Sequence, residues 1–281
     1  MTDYSVKQYF GFDGFLTGQK DVIGKVVGGE SAAAIFPTGA GKSLCYQLPA
    51  MHLPGITLVV SPLLSLMKDQ IEFLKSKKIP AAKLDSGIPR EEYQATLLDG
   101  VHNRIKILMV SVERFKNERF RNQLKRMNVS LLVVDEAHCI SEWGHNFRPD
   151  YLKIPIYQKE FNVPQVLLLT ATATPQVVED MCGKFRISRS NVITTGFYRE
   201  NLHISVASVP ENRKKPALVE TLTAEPLGPS IVYVTLQKTA ETVAQYLTSK
   251  GLDAEAYHAG MKPILRDEIQ NRFMHGNLNT V

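Results

Sequence analysis

The sequence predicts an α/β fold built on a parallel sheet, and three observations carry that prediction. Short apolar runs recur along the chain, with longer amphipathic stretches between them. The runs are hydrophobic on both faces, as strands are when helices cover a sheet from both sides. Strand and helix patterns alternate regularly, which is the order of parallel crossover units.

Taken in order, the expected strands lie at residues 32–36, 57–60, 81–84, 106–110, 131–134, 165–169 and 191–194. Helical patterns fall between them at 42–51, 64–75, 90–98, 117–127 and 176–185. After Thr195 the alternation restarts, with strands expected at 202–206, 230–234, 254–257 and 278–281 and helices at 213–223, 239–249 and 263–274. Residues 196–201 are polar and aromatic, so a domain boundary is expected near 196: one domain at 1–195 and the beginning of a second at 196–281. The last four residues read as a strand only just begun, and the second domain is expected to be incomplete.

Composition fits this reading. At roughly 150 residues per domain, 281 residues correspond to slightly under two domains. Hydrophobic residues make up 44% and charged residues 22%, an ordinary globular balance that excludes disordered and fibrous chains. The apolar runs fall far short of the ~18 residues of a membrane span. Residues 1–10 mix Asp3 and Lys7 with aromatics and lack a secretory pattern, so a cytoplasmic location (nucleoid or nucleus) is expected. Cys45, Cys139 and Cys182 are far apart and form no ligand spacing; they read as reduced thiols, with no structural zinc site.

The net charge of +5 is unevenly placed, because residues 196–281 hold nine basic and nine acidic residues. The whole excess therefore lies in residues 1–195. Six basic residues (Arg114, Lys116, Arg119, Arg121, Lys125 and Arg126) surround the single acid Glu118. Such a run is either a solvated helix face or a phosphate-backbone footprint.

The sharpest local signal is Pro37-Thr38-Gly39-Ala40-Gly41-Lys42-Ser43-Leu44, between an expected strand and an expected helix. The strict phosphate-loop pattern would place glycine where this chain has Phe36. Its functional end is intact: two glycines permit close backbone approach, and the loop amides with the helix N-terminus face a polyphosphate. Lys42 would neutralise β/γ-phosphate charge and Ser43 would ligate Mg²⁺. The strand at 131–134 ends in Asp135-Glu136-Ala137-His138. Asp135 would hold Mg²⁺ through water and Glu136 would polarise the attacking water, so Lys42, Asp135 and Glu136 are the expected catalytic residues of a nucleoside triphosphate hydrolase.

These two motifs resemble those of superfamily 2 helicases, and the flanking residues are similar to the RecQ family. The run from Asp135 to Tyr151, with Trp143, Phe147 and Arg148, resembles that family's motif II joined to its aromatic-rich loop. Ser61 to Gln70 resembles motif Ia, Glu113-Arg114 motif Ib, Leu169 to Thr174 motif III, and Tyr257-His258-Ala259-Gly260 the stretch before motif V. The resemblance implies a RecA-like domain followed by an incomplete second one, ATP and Mg²⁺ as cofactors, and 3′-to-5′ unwinding of DNA. It implies contacts to single strands and duplex junctions through Trp143, Phe147, Arg148 and Arg114, and coupling of nucleotide state to the second domain through Thr170 and Thr172. Phe12 to Gln19 is similar to the adenine-reading motif, with Phe12 stacking on the ring and Gln19 reading its edge. The family's arginine after that motif's aromatic Phe15 is replaced by Leu16. The arginines of motif VI have no counterpart in these residues, so slow hydrolysis and no unwinding are expected of this chain alone. A superfamily 2 RNA helicase and a non-catalytic nucleic-acid-binding module remain as alternatives.

Overall fold

The computed structural model describes residues 3–85, 87–144, 148–196, 201–224 and 228–281, with the backbone alone at 3–5 and 65. The chain divides into two compact units, Met1–Glu200 and Asn201–Val281.

The first unit is a seven-stranded, wholly parallel sheet. Its strands are β1 (Ala32–Ile35), β2 (Ile56–Val60), β3 (Ala81–Leu84), β4 (Ile107–Val110), β5 (Val129–Val134), β6 (Gln165–Thr170) and β7 (Val192–Thr194), in the order β3-β4-β2-β5-β6-β1-β7. All seven fall where the apolar runs predict. Alternate side chains explain why those runs are continuous. Ile35, Leu58, Val60, Leu108, Leu132, Val134 and Leu168 enter one core. Ala34, Val59, Met109, Leu131, Val133, Leu167 and Leu169 enter the other. A central strand with both faces covered is apolar on both, and the polar side chains buried in these strands include Ser130, Gln165 and Thr170, each of which is hydrogen-bonded.

Eight helices accompany the sheet: α1 (Asp3–Phe10), α2 (Gln19–Val27), α3 (Leu44–His52), α4 (Leu64–Ser76), α5 (Arg90–Val101), α6 (Glu118–Leu124), α7 (Ile154–Glu160) and α8 (Pro175–Phe185). Val22, Ile23 and Val26 of α2 pack with Leu48 of α3 and Leu74 of α4 in the second core. Phe120 and Leu124 of α6, Ile154 of α7 and Met181 of α8 pack in the first. The helix expected at 117–127 is shorter than predicted. A 3₁₀ turn, Val112–Lys116, precedes it, and Asn117 caps α6 by accepting the Phe120 N–H at 3.2 Å. Three helices, α1, α2 and α7, are absent from the sequence reading.

The second unit holds α9 (Lys214–Thr223), α10 (Gln237–Ser249) and α11 (Pro263–Met274) where helices are expected. Its expected strands are not formed as strands among the described residues. Two isolated parallel bridges, Ser230 to Thr280 and Ala254 to Thr280, replace them. The Val232 N–H donates to the Val281 carbonyl at 2.8 Å and the Thr280 N–H to the Asp253 carbonyl at 3.1 Å. Residues 279–281 thus lie between two segments, each paired over too few residues to extend into a ladder. Residues 202–206 have no ladder bond among the described residues, and Ile204 and Val206 are 89% and 96% exposed.

Candidate nucleotide-binding site and nucleic-acid face

Parallel strands bring their C-terminal ends to one edge of the sheet, where open α/β folds place their ligands. The adjacent strands β5, β6 and β1 end there in Asp135, Thr170 and the loop at 37–43. The Phe36 N–H donates to the Thr170 carbonyl at 3.1 Å, stitching the root of the loop to β6. Phe36, at the place of the strict pattern's glycine, is fully buried. It packs where Gly18 leaves room, since a Cβ on Gly18 would lie 2.9 Å from the Phe36 ring.

Gly39 and Gly41 adopt φ values of 86° and 67°, in the left-handed region that favours glycine. Gly41 has a second reason: a Cβ there would sit 2.4 Å from Gln19 Nε2. Lys42 Nζ donates to the carbonyls of Phe36 at 3.0 Å and Pro37 at 3.2 Å, folding its ammonium across the loop. Burial lowers its pKa from the usual lysine value, while Glu136 and Asp135 act to raise it.

Asp135 is held from both sides. Its Oδ2 accepts the Ser61 hydroxyl at 3.1 Å and its Oδ1 the Glu136 N–H at 3.0 Å. Burial first, and then the neighbouring Glu136 charge, push its carboxyl above the usual range. Glu136 turns the chain with φ 50°. Its Oε2 lies 3.2 Å from His138 Nδ1, which is also 2.9 Å from Thr170 Oγ1. Thr170 Oγ1 in turn donates to the Thr172 carbonyl at 3.1 Å. Contact with the Cys139 thiol, then with Glu136, raises His138 to about 9. The expected catalytic glutamate and both expected coupling threonines therefore belong to one hydrogen-bonded chain.

Beside the loop lies a cleft of about 400 Å³, lined by Phe12, Leu16, Gln19, Ser43, Gln47 and Gln70 among others. Phe12, Phe10 and Phe73 form a near-parallel aromatic stack, with centroids 6.3 and 6.4 Å apart. Gln19 accepts the Leu16 N–H at 2.8 Å and donates to the Gly41 carbonyl at 2.9 Å. It braces the phosphate loop as well as facing the cleft.

On the expected nucleic-acid face, Trp143 is 70% exposed. Its loop is closed by the Gly144 N–H donating to the Ser141 carbonyl at 2.9 Å and tied back to the 3₁₀ turn Ala137–Ile140 by the Arg148 N–H donating to the Cys139 carbonyl at 3.1 Å. Phe147 lies outside the described residues. Arg114 packs its guanidinium over the Tyr93 ring, 5.3 Å from the centroid. Half of the basic cluster is engaged by acids. Lys116 pairs with Asp150 at 2.7 Å, while Arg121 and Lys125 share Glu160 at 3.3 and 2.9 Å. Those three residues serve to join elements, which leaves the phosphate-footprint reading to Arg114, Arg119 and Arg126.

Residues 17–181 match the model of the DEAD/DEAH box helicase family. The chain belongs to that family. Among curated DEAD/DEAH relatives it is similar to the probable ATP-dependent DNA helicase RecS of Bacillus subtilis, 40% identical over 276 residues. The ATP-dependent DNA helicase RecQ of Bacillus subtilis is 38% identical over 275 residues, and the ATP-dependent DNA helicase Q-like 5 of Arabidopsis thaliana is 40% identical over 277. These matches cover 97–98% of this chain but 55%, 46% and 30% of the three relatives, so the chain spans about half their length or less. The Mycobacterium smegmatis helicase Lhr, solved bound to ssDNA and AMP-PNP, superposes with a TM-score of 0.74 at 18% identity, over 99% of this chain and 40% of that one. The DUF1998 helicase MrfA bound to DNA gives 0.72 at 17%, over 99% and 43%. At such identities the likeness establishes the helicase fold.

Several residues of this helicase-family site are absent from the sequence reading as site residues. Ser61 orients Asp135. Gln47 and Gln70 hydrogen-bond to each other at 2.7 Å in the cleft wall. Gly144 permits the turn carrying Trp143, since a Cβ there would lie 2.3 Å from the His138 carbonyl oxygen. Ser61 and Gln70 fall inside the motif Ia block, and no spacing rule connects them to the site.

Proposed function

We propose that the chain is the ATP-binding part of a RecQ-type, ATP-dependent DNA helicase that moves 3′ to 5′ on DNA. Residues 1–195 would be its first RecA-like domain and 196–281 the N-terminal part of its second. The observation that carries the reading is the meeting of the Lys42 loop, Asp135 and Thr170 at the ends of three adjacent strands, beside a cleft able to take a base. A carboxylate and a hydroxyl are what a Mg²⁺ ion takes from such a protein, the remaining positions being phosphate oxygens and water. Asp135 and Ser43 fit that demand. Burial and the Glu136 charge push the Asp135 carboxyl up despite its two hydrogen bonds and the nearby Lys42, and a cation beside it would relieve that position. Once bound, the ion would neutralise charge on the phosphates.

The chain's own groups have separable roles in this reading. The amides from Thr38 to Leu44 hold the phosphates, and Lys42 leaves the Phe36 and Pro37 carbonyls to pair with them. Glu136 orients the attacking water and accepts its proton. Thr170 and Thr172 sense the phosphate end through His138. Phe12 and Gln19 hold the adenine. Trp143, Phe147, Arg148 and Arg114 engage DNA, single-stranded or at duplex junctions, by stacking and phosphate contact. A cytoplasmic, nucleoid or nuclear location follows from that substrate. No described helix is long and apolar enough to cross a membrane.

ATP hydrolysis measured with single-stranded DNA, with RNA and with neither tests the reading. Stimulation by DNA above RNA is expected, with loss of turnover in Glu136→Gln. For these 281 residues alone we expect slow turnover and no unwinding, because an arginine finger adds ~10³–10⁵ in kcat where measured and the resemblance assigns that role to motif VI, which was not matched in them. Turnover of several per second would overturn the slow-hydrolysis expectation, and equal stimulation by RNA would favour an RNA helicase.

A further inference from the structure

The base cleft has a polar wall that the adenine-reading motif does not include. Gln70 of α4 accepts two hydrogen bonds on one atom: Gln47 Nε2 donates to its Oε1 at 2.7 Å, and the Tyr46 hydroxyl donates to the same oxygen at 3.4 Å. These bonds fix which way the Gln70 amide faces. Its Nε2 has no bond among the described residues, and Gln70 lines the cleft. Gln19, on the same cleft, is differently placed. Its Nε2 is engaged by two loop carbonyls, Gly41 at 2.9 Å and Ala40 at 3.4 Å, so its donor side is committed to the loop. Its Oε1 accepts one bond, from the Leu16 N–H, and an amide oxygen can accept two.

Adenine presents an N6–H donor beside a ring-nitrogen acceptor, whereas guanine presents O6, an acceptor, in place of that donor. An adenine reader therefore needs one acceptor and one donor. Gln19 retains only the acceptor, and Leu16 beside it is apolar. Gln70 has only the donor. We propose that the two glutamines read the base together: Gln19 Oε1 accepts from N6, and Gln70 Nε2 donates to the adjacent ring nitrogen. Gln47 and Tyr46 act as positioning residues that hold the Gln70 amide in register. The inference rests on the ATP-site reading above and adds a specificity-determining residue to it. Because Gln47 is on α3, one turn beyond Ser43, base recognition is mechanically joined to the phosphate loop.

Gln70→Glu isolates the claim. The carboxylate keeps an acceptor for Gln47 and Tyr46 but replaces the donor with a second acceptor. Binding of ATP, GTP, 7-deaza-ATP and 1-deaza-ATP to wild-type and variant chains would be measured by titration. The ratio of ATP to GTP affinity should fall about tenfold in the variant, the scale of one lost hydrogen bond with an acceptor left facing an acceptor. One of the two deaza analogues should bind wild type weakly and lose nothing further in the variant, because both changes remove the same bond. An unchanged ATP/GTP ratio, or losses that simply add for both analogues, would overturn the proposal while leaving the ATP site standing. Wild-type chain that binds no nucleotide would instead overturn the site reading itself, and this inference with it.

Discussion

The ionisation of His138 is set by the fold. Lodged among the Cys139 thiol, Glu136 and Thr170, it is raised from 6.5 to about 9. A raised histidine stabilises the fold fully below its unfolded pKa, and that contribution fades as pH rises through the folded value. The chain should therefore lose stability between about pH 6.5 and about 9. In His138→Ala the difference in thermal midpoint between those two pH values should shrink, and an unchanged difference would remove His138 as its source. At this scale the sequence was legible where the proposed site is made of short local runs, which the structure brings together at the strand ends. Lys42, Ser43, Asp135 and Glu136 stand in short runs whose chemistry is complete within a few positions. The Gln47–Gln70 bond was not legible, because it joins side chains 23 residues apart on two helices. The joining role of Lys116, Arg121 and Lys125 was hidden for the same reason, since their acids Asp150 and Glu160 lie on other elements.

At the scale of elements, the strand ends do the positioning and the loops that follow them carry the chemistry. The turn after β5 depends on Gly144, whose missing side chain lets the backbone pass the His138 carbonyl. Gly144→Ala must open that turn, because the obstructing atom is backbone and cannot rotate away. We expect the emission of Trp143, the single tryptophan of the chain, to shift, and affinity for single-stranded DNA to fall about tenfold, within the range of one or two lost stacking contacts. Unaltered emission and affinity would mean that the loop's conformation does not govern binding. The seven strands were readable because burial on both faces leaves an uninterrupted apolar run. Short helices were harder. The apolar residues of α2 follow a glycine-rich turn, and α7 has only seven residues and includes Pro155.

Across the whole molecule the two units differ in how much they bury. The first has two extensive apolar layers on either side of its sheet. In the second, the fully buried apolar side chains among the described residues are Leu247, Ala254, Ile269 and Leu278. Local opening follows such differences. Amides of the bridged residues Ser230, Val232, Glu255 and Thr280 should exchange with solvent well before those of β2, β5 and β6. Equal protection would show a second core as firm as the first. The restart of alternation after Thr195 predicted the three helices here correctly. It overstated the strands, because a hydrophobic run becomes a strand only where a neighbour offers enough residues to pair with.

In the proposed Mg²⁺–ATP site, formed by the loop at 37–43 and Asp135, Lys42 changes its partners from loop carbonyls to phosphates. Calorimetric titration of Mg²⁺–ATP into wild type and Lys42→Ala tests it most directly. Saturable binding to wild type is expected, with an affinity roughly 10–100-fold weaker in the variant, the scale of one lost hydrogen bond between charged groups. Equal affinities in the two proteins would contradict it.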